Sequence, residues 1–385
     1  MSTRRVTSSL TSKRRLILLP AALVMVTAAS AGALAEGLPK LEWELSNGAK
    51  FKIYGQIDTG VLVYEDGFQT EAYAPVDNDN SSSRIGATYD QDFGDWNFGG
   101  ALEVEYPVYS TINLSVLNDE PDWDWENRYF RKIEAFVESG TYGKLSVGQG
   151  YMASDYSAEV DLSGTAMISY SKVQGTAGGQ LFRNSATGAF GPAVRSAFNN
   201  YDGLGRKVRV RYDTPKLAGF TLSASYGEDL LADAHVPLAD VALRYANGFD
   251  DFKVEGAIAY GWQDNDVQLF VGSASILHVP SGLNFTVAAG SQDNGSRTGT
   301  YVYGKAGLLR DIVEWGATAF AVDYYYGDDI ATRGSASRSI GVAVVQNIKD
   351  YKTELYLGYR RYQYDTETAD FEDGDAFLGG VRLKF

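Results

Sequence analysis

The sequence predicts an all-β fold: a transmembrane up-and-down antiparallel β-barrel of about sixteen strands, with a long loop folded inward between residues 151 and 205. Three observations carry that expectation. Apolar residues recur at every second position in segment after segment, which is the period of a strand with two unlike faces. The connections between segments alternate long and short, as they do when loops gather at one rim and tight turns at the other. Beyond residue 35 no apolar stretch approaches the length a spanning helix needs, about 18–20 residues, so a membrane would have to be crossed by strands.

Composition narrows the function classes. The 385 residues include no Cys and only two His, His235 and His278. Disulfide frameworks, Cys-ligated zinc, iron–sulfur clusters, thiol catalysis and multi-histidine metal sites are thereby excluded. A net charge of −15 argues against nucleic acid as a partner, which would require a basic face. Abundant Gly (42) and Tyr (26) with few Pro (9) favour many strands over disorder.

Residues 1–35 have the plan of a secretory signal peptide. Arg4, Arg5, Lys13, Arg14 and Arg15 form a basic head, Leu16 to Ala29 an apolar run, and Ala33-Leu34-Ala35 a small-x-small cleavage site. The run is about 14 residues, shorter than the ~20 of a membrane anchor. The Arg pairs would also suit twin-arginine export, although a basic head is the commoner reason for them. Removing this segment takes away five bases and no acids, so the charge of −15 becomes about −20.

From residue 36 to residue 385 the alternation marks strands at 49–64, 81–91, 95–107, 128–138, 143–150, 206–214, 219–227, 237–247, 252–263, 268–278, 283–291, 299–310, 314–326, 336–348, 352–364 and 375–385. Phe51, Ile53, Ile57, Val61 and Val63 open the series; Phe377, Val381, Leu383 and Phe385 close it. Phe130 and Phe136 fall on the polar parity of their strand. The connections 65–80, 108–127 and 151–205 are long, whereas 92–94, 139–142 and 215–218 are short.

Alternation alone leaves open which face meets water. Strands of about 9–11 residues or more suit a tilted bilayer span, whereas soluble strands average ~5–6. Aromatics gather near strand ends (Tyr64, Tyr89, Trp96, Tyr106, Tyr226, Trp262, Trp315, Tyr324, Tyr351, Tyr364), where interfacial girdles sit. The opposite face carries charge, including Glu103, Glu105, Glu255, Asp323, Arg360, Arg382 and Lys384. Such a face lines water rather than a dry core, and about sixteen strands enclose a lumen too wide for wall side chains to plug.

The run Gly205-Arg206-Lys207-Val208-Arg209-Val210-Arg211-Tyr212-Asp213-Thr214-Pro215, followed by Gly219-Phe220, resembles the strand after the constriction loop of Gram-negative general porins. Tyr142-Gly143-Lys144-Leu145-Ser146-Val147-Gly148 is similar to the family's strand before that loop. Glu354-Leu355-Tyr356-Leu357-Gly358-Tyr359-Arg360 and the terminal Phe385 extend the resemblance along the chain. Gln149 stands where the family often has Arg, and a Pro-Glu-Phe-Gly-Gly element is missing from the loop; both departures point to the alphaproteobacterial branch. The resemblance implies a homotrimer in the cell outer membrane, among outer-membrane lipid and lipopolysaccharide, that passes ions and small hydrophilic solutes. It also implies that Phe385 is the signal read by the outer-membrane assembly machinery.

The resemblance further implies a basic wall facing acidic loop residues across the constriction. Arg84, Lys132, Lys207, Arg209 and Arg211 sit at inward parity; Asp155, Glu159 and Asp161 lie early in the loop. A narrow aqueous passage through a low-dielectric wall focuses such a field and tunes ion selectivity. The same charges would serve equally to pair and hold the loop. Arg183 and Arg195, later in the loop, suit either role. The acidic chain favours mild cation selectivity, with the eyelet counting for more than the total charge. A saturable, substrate-specific channel is the alternative, and a surface-anchored β-rich binding protein is a more distant one.

No cofactor is expected. Acids at Asp77 and Asp79, and at Asp119, Glu120, Asp122, Asp124 and Glu126, read as a solvated rim. Asp119, Asp122 and Asp124 are the weak candidates for a structural Ca²⁺, since oxygen-rich loops hold that ion. The loop 108–127 also suits contact with a neighbouring subunit, as the resemblance suggests. His278 with Ser273 and Ser275 is the one local hint of a nucleophile and base. It lacks an orienting partner, so an enzyme is not expected.

Overall fold

In the computed structural model, residues 41–385 are described, residues 233 and 265 excepted; the leader expected at 1–35 lies outside them. Sixteen strands among the described residues form the wall. They are β1 (Lys50–Glu65), β2 (Arg84–Phe93), β3 (Trp96–Glu105), β4 (Phe130–Ser139), β5 (Gly143–Tyr151), β6 (Arg206–Asp213), β7 (Phe220–Asp229) and β8 (Ala234–Phe249). The second half comprises β9 (Phe252–Gln263), β10 (Val267–His278), β11 (Leu283–Asp293), β12 (Thr298–Val313), β13 (Gly316–Asp328), β14 (Ala336–Ile348), β15 (Thr353–Asp365) and β16 (Gly374–Lys384). Each pairs antiparallel with its neighbour in the chain, and β6 joins β5 across the long loop, Arg209 opposite Gly148.

Closure is made by β16 on β1, with Leu383 opposite Ile57 and Phe377 opposite Val63. The terminal Phe385 extends the seam: its N–H donates to the Gly55 carbonyl at 3.1 Å, and the Gly55 N–H donates back at 3.2 Å. A Cβ at Gly55 would lie 2.5 Å from the Phe385 ring, so glycine there leaves room for the terminal aromatic.

Alternation sorts the wall into two faces. On β10, Gln268, Phe270, Ala274 and Ile276 are exposed outside, while Leu269, Val271, Ser273 and Ser275 are buried inside. Around the barrel Ile57, Ile85, Leu102, Ile133, Leu222, Val241, Ile258, Phe285, Val302, Val322, Val342 and Leu357 stand exposed on the outer face. In water such a band would forgo roughly 25 cal/mol for each Å² of apolar surface; lipid removes that cost. Tyr89, Trp96, Tyr226, Trp262, Trp315, Tyr324 and Tyr351 are exposed with it. Tyr64 and Tyr364, expected in the girdle, instead point inward and are buried at 3% exposure each, because their positions in the pleat fall on the lumenal parity.

The lumen is only partly wet. Residues 152–204 cross it and dock on the inner faces of β8 to β15, giving an aromatic core of Phe182, Phe198, Tyr301, Tyr325, Tyr362 and Tyr364 with Ile168, Val173 and Val194. Fully burying side chains of this size stabilises by roughly 1.5–3 kcal/mol each. The inner face was expected to line water throughout. Across β12 to β15 it is dry, because the loop is long enough to bring a core of its own. Its two short strands, Leu181–Arg183 and Phe190–Ala193, form a hairpin in a stretch expected to be loop throughout. Two further short strands, Glu42–Glu44 and Thr70–Val76, pair onto β1.

Hydrogen bonds stitch the loop to the wall strand by strand. Asp240 on β8 accepts from the N–H of Ser154 at 2.8 Å. On β10, Ser273 and Ser275 accept from the N–H groups of Val160 and Leu162, each at 3.0 Å. The Lys305 ammonium on β12 meets Asp161, and both side chains are buried; it also donates to the Ser169 carbonyl at 2.8 Å. Arg360 on β15 holds Asp323 on β13 through two bonds of 2.7 Å. Tyr325 and Tyr362 donate to the carbonyls of Asn199 at 2.6 Å and Val173 at 2.7 Å.

Candidate functional site

What the loop leaves open is a cleft of ≈ 830 Å³ between its outer edge and the inner faces of β2 to β6. Six bases (Arg84, Arg131, Lys132, Lys172, Arg206, Arg382) and six acids (Asp79, Glu103, Glu105, Asp155, Glu159, Asp202) line it. Most are matched. Arg131 bonds Glu103 and Glu105 at 2.5 Å each. Arg206 reaches Glu105 at 3.3 Å, and Lys172 reaches Asp79 at 2.7 Å. Arg382 is paired with Glu354.

Five charged groups remain, segregated by element. Arg84 on β2 and Lys132 on β4 have no carboxylate within ion-pairing distance among the described residues; Arg84 donates only to the Ser82 carbonyl at 3.4 Å. Opposite them, Asp155, Glu159 and Asp202 belong to the loop and accept hydrogen bonds without forming an ion pair. Asp155 takes the Gly205 N–H at 2.6 Å and Glu159 the Asn200 amide at 3.0 Å. Asp202 takes the N–H groups of Tyr156 and Ala158 at 2.8 Å each.

Burial, reinforced by the Asp202 charge, pushes the Asp155 carboxyl up to about 8. Glu159 is raised to about 8 for the same two reasons, against the pull of Lys172. Asp202 is raised by burial to about 6, and the two N–H groups it accepts hold it lower than its neighbours. Asp155 and Glu159 are therefore largely protonated at neutral pH, whereas Asp202 is largely ionised.

Residues 21–367 match the Gram-negative porin family. The chain belongs to that family. No curated protein matches the sequence. The anion-selective porin of Comamonas acidovorans has a similar fold (TM-score 0.59, 14% identity, 88% of this chain and all of that one). So do OmpT of Vibrio cholerae (TM-score 0.57, 14% identity, 89% of this chain and 99% of that one) and the channel DcaP of Acinetobacter baumannii (TM-score 0.55, 12% identity, 89% and 99%). The porin is an outer-membrane channel for solute diffusion and not an enzyme.

Within the porin, Arg84 and Lys132 line the cleft, with Asp155 and Glu159 on its loop side. Glu103 and Glu105 also face it, each bonded to Arg131. Lys207, Arg209 and Arg211 face inward but serve the loop's root. Lys207 pairs with Asp229. Arg209 pairs with Glu134 at 2.5 Å and donates to the Gly148 carbonyl at 3.0 Å. Arg211 pairs with Asp213 at 2.8 Å and donates to the Met152 carbonyl at 2.9 Å. Asp161 is spent on Lys305. Arg183 bonds Asp66 at 2.7 Å, and Arg195 bonds the Ile112 carbonyl at 2.5 Å.

Sequence reasoning missed Arg131, Lys172, Asp202 and Arg206. Arg131 sits at outward parity by counting from Ile133, but a bulge sets Glu103 opposite Lys132 and Val104 opposite Phe130. The extra residue turns Arg131 inward beside Lys132, and Phe130 packs on Trp125 at 5.5 Å. The two misfit phenylalanines were the available signal of irregularity on this strand. Asp119, Asp122 and Asp124 do not converge: among the described residues no cluster of three or more acids and histidines could hold a metal ion. His278 bonds Ser281 at 2.7 Å, while Ser273 and Ser275 hold the loop.

Proposed function

We propose that this porin passes ions and small hydrophilic solutes through the wet cleft, with a selectivity that is mild and graded by pH. The observation that carries the reading is the segregation of unmatched charge: Arg84 and Lys132 on the wall, and Asp155, Glu159 and Asp202 on the loop. Below neutral pH the two bases prevail and the cleft leans toward anions. As the loop acids ionise, three negative charges oppose two positive ones, and the cation preference suggested by the acidic chain emerges. Low-dielectric walls on either side strengthen both effects.

A homotrimer is the assembly we propose, supported by a structural neighbour, OmpT of Vibrio cholerae, solved in a trimer form. Residues 1–35 are proposed to be removed on export, and Phe385 to be read during assembly, where its backbone completes the β1–β16 seam. The test is the reversal potential of the purified protein in planar bilayers under a KCl gradient at pH 5, 7 and 9. The expected result is a steady shift toward cations with rising pH, flattened in Asp155→Asn/Glu159→Gln. A reversal potential independent of pH would contradict the reading.

A further inference from the structure

One side chain in the cleft is held there at a conformational cost. Tyr156 has φ 63°, the left-handed region, which is disfavoured for a bulky residue. Tyr301, Tyr325 and Tyr362 are buried in the dry core, but Tyr156 is 47% exposed. Its hydroxyl donates to that of Tyr151 at 2.7 Å, and the two rings meet edge to face at 4.9 Å. Tyr151 is fixed in turn by Arg131, which donates to its hydroxyl at 2.7 Å. The result is a braced aromatic surface standing in the passage.

The two unmatched cations share this surface. The Lys132 ammonium lies 5.3 Å over the Tyr151 ring, within cation–π range, and forms no hydrogen bond or ion pair among the described residues. Arg84 keeps most of its donors free. The nearby acids are already engaged: Glu103 by Arg131 and the Tyr54 hydroxyl at 2.7 Å, and Glu105 by Arg131 and Arg206. A net positive spot beside an exposed ring fits a solute that is anionic at one end and flat at the other. Inorganic phosphate would use the cations alone and gain nothing from Tyr156.

We infer that Arg84, Lys132, Tyr151 and Tyr156 form a saturable site in the diffusion path for small planar organic carboxylates, the carboxylate meeting Arg84 and Lys132 and the flat face meeting Tyr156. This deepens the channel reading and rests on it. Arg84 suits a carboxylate because guanidinium binds it through two parallel bonds, and aromatic contact adds specificity beyond the area buried.

The test is block of the KCl current in planar bilayers by benzoate, cyclohexanecarboxylate, acetate and inorganic phosphate. Benzoate should saturate the block at a concentration about two- to tenfold below cyclohexanecarboxylate, the fold-change an aromatic contact of ~0.5–1.5 kcal/mol gives. Tyr156→Gly accepts the φ of 63° without strain; it should abolish that preference while the channel still conducts. Arg84→Gln should weaken block by every carboxylate. Linear, unsaturated current in benzoate, equal block by benzoate and phosphate, or a benzoate preference surviving Tyr156→Gly would each overturn the inference. Absence of any conductance from folded protein would instead strike the channel reading beneath it.

Discussion

The two halves of the lumen use the same inward parity for opposite ends. Across β12 to β15, inward positions hold Tyr301, Lys305, Asp323, Tyr325, Arg360 and Tyr362, each at most 4% exposed. Across β2 to β6 they hold the charged cleft. In the dry half Lys305 is matched by Asp161 on the loop and Arg360 by Asp323 two strands away; in the wet half Arg84 and Lys132 remain unmatched among the described residues. The difference teaches that charge on a barrel's inner face does not by itself signify a pore. What distinguishes the halves is whether the loop has covered the wall.

Breaking a matched charge in the dry half should have the largest effect. Lys305→Met leaves Asp161 buried without its partner, and losing one member of a buried pair costs about 3–5 kcal/mol. The temperature at which the barrel unfolds on a denaturing gel should fall, and conductance should rise as the loop loosens. Lys305→Met/Asp161→Leu should recover most of the stability. Phe198→Ala, in the aromatic core, should cost a comparable ~3–5 kcal/mol, read by the same gel together with increased current noise.

Neutralising either unmatched base of the wet half should leave stability nearly unchanged and alter selectivity. Arg84→Gln and Lys132→Gln are expected to change stability by no more than ~0.5 kcal/mol while moving the reversal potential toward cations at every pH. Raising pH should have a structural cost as well. The loop acids bind protons more tightly in the folded protein than in the unfolded chain, so stability is lost as pH rises from about 4 toward about 8. Melting at pH 5 and pH 8 checks this, and Glu159→Gln should reduce the difference. The smallest effect belongs to the rim, where Arg338 and Asp365 are both about two-fifths exposed; Arg338→Gln should change stability by less than ~0.5 kcal/mol and leave the reversal potential where it was.

Strands and seam were legible because a period of two, repeated along the chain, survives local irregularity. The segment read at 268–278 is a strictly alternating β10. The dry half was not legible. Tyr64 and Tyr364 read as girdle residues because aromatic strand ends suit lipid interfaces and loop cores alike. The cleft was half legible: Arg84 and Lys132 follow from parity, but the bulge that admits Arg131 breaks the count. Asp202 and Asp155 lie 47 positions apart in sequence, and their proximity depends on how the loop returns to β6. The backbone of Tyr156 left no mark in the sequence at all.

The central claim is that solutes pass through the wet half alone. The chain contains no Cys, so single substitutions can be probed cleanly with a charged, membrane-impermeant thiol reagent during bilayer recording. Arg84→Cys lies in the cleft, and Ala319→Cys lies on the inner face of β13 at a position 2% exposed. The account predicts that the reagent steps the current down in Arg84→Cys and leaves Ala319→Cys unchanged. A drop in Ala319→Cys, or none in Arg84→Cys, would place the passage elsewhere.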